Sequence, residues 1–249
     1  MKLLLSLVVG GLGWLTASAV CGADANSAPA RPIPTSHTTR HLEGWTVQVD
    51  DRLLHGSTVE VELGERALQL LDHRLYEIKL VVPADRLARL QQVVIWLDLT
   101  HGRLRPMQYH PNAGWLRGNG YSTNLVKCVH IPDAAYFADP RDQHRQPWAI
   151  LHELAHAYHD QVLDFDEPQI LAAYRRFKES GRYESVLQIN GRVEKHYGLT
   201  DQKEFFAEMT EAYFGTNDFY PFNRAELQRD EPELYALLRK IWGPVPGAK

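Results

Sequence analysis

The chain has 249 residues, of which 44% are hydrophobic and 23% charged, and its formal net charge is −4. That balance excludes global disorder and allows one sizeable domain, or two small lobes around a cleft. Acids and bases alternate without a long basic run, so nothing in the charge pattern marks a nucleic-acid binder or a protein of anionic membrane surfaces.

Residues 1–23 read as a secretory signal peptide. Lys2 gives a short positive start, residues 3–15 are apolar but too short to span a bilayer stably, and Ala17-Ser18-Ala19 and Ala23-Asp24-Ala25 offer cleavage after Ala19, Ala23 or Ala25. Export to a periplasm or to the medium is therefore expected, without stable membrane association after cleavage. Residues 24–40 are rich in Ala, Ser, Thr and Pro and are expected to form a flexible leader, with the folded domain over 41–249. Cleavage after Ala23 leaves Cys128 alone, which predicts a buried, inert thiol and no internal disulfide.

In the domain, 45–49 alternates as a strand, and Ala67, Leu68, Leu71, Leu75 and Ile78 give 65–81 a helical spacing that Pro83 ends. A short helix over 84–90, a central strand over 93–97, an irregular or edge-strand stretch over 101–124 and a strand over 125–131 follow. Pro147 suits the first turn of a helix reaching about 162, and a second helix spans 168–180, closed by Gly181. After a mixed stretch over 182–199, Thr200 is a plausible N-cap for a helix over 201–214, and one or two helices occupy 224–242. The expected class is α+β: a small N-terminal mixed sheet with helices, a mainly helical C-terminal half, and a cleft between them.

The chemistry concentrates in His152-Glu153-Leu154-Ala155-His156. Two His at i and i+4 share one helical face and can reach a single Zn²⁺, while Glu153 projects beside them as a base for a water. Ile150, Leu151, Leu154, Ala155, Ala157, Tyr158 and Val162 fill the other, apolar sector. Three His in place of Lys, Arg and Glu are an odd way to face plain solvent. His159 lies about 10 Å along the axis from His152 and cannot readily join the same ion. A neighbouring place in the cleft, or a supporting contact to a ligand, is expected for it.

A catalytic zinc needs a third protein ligand. Asp201, Glu204, Glu208 and Glu211 make one acidic stripe on an otherwise apolar helix that includes Phe205, Phe206, Met209, Tyr213 and Phe214. Such a helix belongs inside, and its carboxylates must meet a cation: a base from elsewhere, or a zinc with Glu204 as ligand and Glu208 or Asp201 behind an imidazole.

The run Tyr197-Gly198-Leu199-Thr200-Asp201-Gln202-Lys203-Glu204-Phe205-Phe206-Ala207-Glu208, downstream of the His motif, resembles the anthrax lethal factor-type zincin metallopeptidases, a group that includes secreted Pro-Pro endopeptidases. The likeness covers 147–214 and is coarse before it. The resemblance implies one Zn²⁺ per chain held by His152, His156 and Glu204, Glu153 as catalytic base, and Tyr197 as the phenol that serves the oxyanion or the leaving group. It implies a peptide or protein substrate and hydrolysis of its amide bonds. Substrate would lie along an edge strand drawn from 107–131, with Tyr109, Trp115 and Tyr121 as subsite candidates. A zinc amidase acting on cell-wall amides, and a non-enzymatic binding protein of the same fold, are the rival expectations.

Overall fold

The computed structural model describes residues 30–247. The expected signal peptide lies outside the described residues, as does the first part of the expected leader. The rest of that leader is not loose. Arg31 pairs with Asp133 at 2.5 Å, and strand β1 (His37–Leu42) zips antiparallel onto β2 (Trp45–Asp50). The Ala/Pro/Thr composition concealed an edge strand whose partly exposed side chains need little apolar character.

Helix α1 (Arg52–His55) leads into the 24-residue α2 (Thr58–Val81). Ser57 and Glu60 form a reciprocal capping box there, so α2 begins a full two turns before the apolar periodicity does. Gly64 allows α1 to approach, because a Cβ on it would stand 2.1 Å from Leu53 O. Helix α3 (Ala84–Leu90) returns the chain to β3 (Ile95–Leu97), followed by β4 (Gln108–Tyr109), α4 (Ala113–Gly118) and β5 (Val129–Ile131). The sheet order is β1-β2-β3-β5-β4, parallel at its centre and antiparallel at both edges. The central strands turn Val47, Val49, Ile95, Leu97, Val129 and Ile131 into the core, each at most 1% exposed.

Short helices α5 (Ala134–Phe137) and α6 (Pro140–Arg145) precede α7 (Ala149–Tyr158), which runs on into a π-helical turn, His159–Leu163. Then come α8 (Pro168–Glu179), the small hairpin β6 (Val186–Leu187) and β7 (Val193–Glu194), a 3₁₀ turn at Tyr197–Leu199, α9 (Gln202–Phe214), α10 (Arg224–Asp230) and α11 (Pro232–Trp242). The architecture is α+β, a small mixed sheet followed by a mainly helical half. No described helix is long and apolar enough to cross a membrane.

Helix α9 is the axis of the second half. Every residue from Phe205 to Phe214 is buried, and α7, α8, α10 and α11 pack on it. Gly215, just past its end, fits beneath Trp148 at the head of α7. A Cβ there would stand 2.0 Å from the indole, so the helix that carries the histidines and the helix that carries the acids meet in close contact.

Candidate metal centre

The His motif lies on α7 with both imidazoles turned into the interface with α9 rather than toward bulk water. His152 is 7% and His156 9% exposed. Across that interface, the Asp201 carboxylate caps α9 by accepting the N–H groups of Lys203 and Glu204 at 2.8 and 3.0 Å. Asp201 is thus the cap that the sequence suggested for Thr200, and it fixes the first turn on which Glu204 stands. Glu204 Oε2 lies 3.1 Å from His152 Nε2 and 3.3 Å from His156 Nε2. The three potential ligand atoms lie within 4.8 Å of one another.

Behind this trio, His152 Nδ1 meets Glu211 Oε1 at 2.7 Å, while Glu208 Oε1 is farther, at 3.7 Å. The outer acceptor is therefore Glu211, and the expectation of Glu208 or Asp201 in that place is corrected. Glu204, Glu208 and Glu211 stand at i, i+4 and i+7. Two turns of helix carry Glu211 back under the first histidine of α7, and only the interface between the two helices reveals which acid lands there.

Electrostatics follow from burial. Burial opposes charge on His152, but Glu204 and Glu211 outweigh it and hold its pKa well above the ordinary histidine value. The same contacts with His152 and His156 overcome burial of Glu204 and hold its carboxyl below the usual range. Burial first, then Asp218 and Glu211, drives Glu208 far up, and Asp218 is pushed up to about 7 by burial and Glu211. The carboxylates of Glu204 and Glu211 both bear directly on His152, and a divalent cation at the His–Glu trio would take up charge there in place of a proton on the ring.

Glu153 points toward the sheet. Its Oε2 accepts the N–H of Tyr109, on edge strand β4, at 2.7 Å, and burial raises its pKa. Tyr197 sits on the 3₁₀ turn ahead of α9 and is 46% exposed. Burial of its ring, with Glu204 nearby, pushes its phenol up to about 12, so it keeps its proton at neutral pH. All five expected residues, His152, Glu153, His156, Tyr197 and Glu204, border one cavity of about 560 Å³, together with Tyr109. Trp115 and Tyr121 do not line it. Trp115 stacks on Tyr121 and on His110, and Tyr121 meets His101 at a tilt, elsewhere.

His159 is neither in the cleft nor behind a ligand. It is 0% exposed, wedged between Phe165 and Phe206, and neither ring nitrogen has a hydrogen-bond partner among the described residues. His159 is still α-helical, its N–H donating to Ala155 O, so its ring keeps the face of His152, but one turn beyond His156 that face is covered by Phe165 and Phe206. Burial, then His156, pushes its pKa down to about 4. Above about pH 6.5 the ring is neutral folded or unfolded. Below that, the unfolded chain takes the proton more readily, and stability is lost as pH falls toward 4, by up to about 1.4 kcal/mol per unit. His159→Phe should keep the urea midpoint at pH 7.5 and flatten this acid loss in metal-free protein. An unchanged acid slope in urea titrations at pH 7.5 and 5 would contradict it.

No family model matches the chain, and no curated protein and no solved structure matches it significantly. The residues themselves carry the functional reading.

Proposed function

We propose that the chain is a zinc-dependent hydrolase of the zincin type, most simply a metalloendopeptidase, with His152, His156 and Glu204 as the metal ligands. The observation that carries this is the convergence of two imidazole nitrogens, one turn apart on α7, on one carboxylate oxygen from α9. Without a cation, His152 must carry protons on both nitrogens to satisfy Glu204 and Glu211. With one, Nδ1–H donates to Glu211 and Nε2 presents its lone pair, the tautomer a metal ligand requires. Two neutral imidazoles and a carboxylate that leave a position open toward a cavity suit Zn²⁺ in a catalytic role.

Zinc so held supplies Lewis acidity to a scissile carbonyl and lowers the pKa of water. The chain's own groups do the rest. Glu153, anchored by the Tyr109 amide, takes the proton of the attacking water and passes it to the departing amine. Tyr197, protonated and at the cavity wall, donates to the developing oxyanion. The edge for an extended substrate is β4. On its inner side β4 continues into the pairing of Lys127 N with His110 O at 2.7 Å, and on the cavity side its Tyr109 N–H is held by Glu153 Oε2, which sets the proposed base directly against this edge. The exported location expected from residues 1–23 gives such an enzyme a proteinaceous or cell-wall environment to act on.

Incubating the zinc-loaded chain with a panel of unstructured proteins and with peptidoglycan fragments tests the reading. Peptide products that disappear with a chelator support a peptidase. Release from the cell-wall fragments alone would assign the amidase reading instead, and no product from either would count against hydrolysis. Within the peptidase reading, Tyr197→Phe should lower kcat by about 10²–10³-fold with the zinc content unchanged, as for loss of one oxyanion donor. Full activity in this variant, measured by steady-state kinetics, would remove Tyr197 from the chemistry.

A further inference from the structure

A second crowd of imidazoles lies away from the cleft. On β5, Val129 and Ile131 turn into the core, and His130 between them points from the other face of the sheet. There it meets Asp98, which follows β3 and is 0% exposed. Asp98 Oδ2 takes His101 Nδ1 at 2.6 Å and His130 Nε2 at 2.8 Å, and Oδ1 takes His37 Nε2 of β1 at 2.8 Å. His110 Nε2 lies 3.2 Å from His130 Nδ1. His101, His110 and His130 are at most 4% exposed, and Nε2 of His101 has no hydrogen-bond partner among the described residues.

The arrangement repeats the one at Glu204: imidazole nitrogens gathered on a single carboxylate oxygen, with a further group on the far nitrogen of a ring. Hydrogen bonding from neutral rings would leave a whole negative charge buried at Asp98. A divalent cation takes up that charge without asking any ring to carry a proton. Asp98, His101 and His130 each offer a ligand atom, all within 4.8 Å of one another.

We propose that Asp98, His101 and His130 form a second cation site, for zinc or a similar imidazole-preferring divalent transition metal, with His37 and His110 as outer partners that orient Asp98 and His130. The site ties β1, the end of β3 and β5 into one unit. Beside it, β5 carries β4, the edge that presents Tyr109 to Glu153. Its role is to hold that edge in place, and it stands whether or not the trio at α7 and α9 binds metal.

The test counts zinc by native mass spectrometry in the wild-type full chain and in the double variant His152→Ala/His156→Ala, which also removes the ligand shared with Glu208 and Glu211, with circular dichroism to confirm folding. Two equivalents in the wild type and one in the double variant support the second site. One equivalent in both also supports it and instead removes the proposed hydrolytic centre. A folded double variant that binds none overturns it and leaves Asp98 in a purely hydrogen-bonded cluster. Should the double variant not fold, His37→Ala decides: zinc affinity at one site should fall by about 10–100-fold, as for loss of an outer partner. Unchanged affinity at every occupied site would overturn the proposal.

Discussion

Glu153→Gln should cut hydrolysis by about 10²–10⁴-fold while the bound zinc remains, the range in which a positioned general base contributes. The amide side chain keeps the size of Glu153 and can still accept the Tyr109 N–H, so the sheet edge and α7 stay in register. What it lacks is a lone pair basic enough to take a proton from water. The ligands of the proposed ion are untouched, since Glu153 is absent from the His152–His156–Glu204 trio. Kinetics and metal analysis on one preparation check both halves. Loss of zinc along with activity would show a structural Glu153, and undiminished turnover would end its role as base.

Glu204→Ala should have an effect of similar size on activity by a different route. It removes a ligand, so zinc affinity should fall by more than the 10–100-fold typical of an outer partner, and turnover should fall with occupancy. The fold should survive, because the side chain of Glu204 is 20% exposed and Asp201 still caps α9. The remaining His152 keeps Glu211, so the interface between α7 and α9 retains one of its charged contacts. Chelator competition on the variant and the wild type gives the ratio of affinities. Equal affinities would mean that Glu204 merely neutralises the histidines.

The histidine pair and Glu204 were legible because their spacing is chemistry written along a helix: i and i+4 for the imidazoles, and an acidic stripe on an apolar helix that had to meet a cation. The order of elements was legible for the same reason, from apolar period and caps. Other features depended on contacts between distant segments. Glu211 looked no different from Glu208 until α9 docked on α7. His159 does share the face of His152 and His156, but one turn farther along Phe165 and Phe206 close over it, which only the folded chain reveals. Strand β1 hid in a Thr- and His-rich stretch because an edge strand needs partners more than hydrophobic side chains. The cluster at Asp98 draws on four separate segments of chain, at His37, at Asp98 and His101, at His110 and at His130, and no local pattern joins them.

The most direct measurement is anomalous diffraction at the zinc absorption edge from crystals of the zinc-loaded chain. A peak within about 2.0–2.2 Å of His152 Nε2, His156 Nε2 and a carboxylate oxygen of Glu204 is the predicted result. An interface between α7 and α9 with no peak there, its histidines still resting on Glu204, would contradict the account.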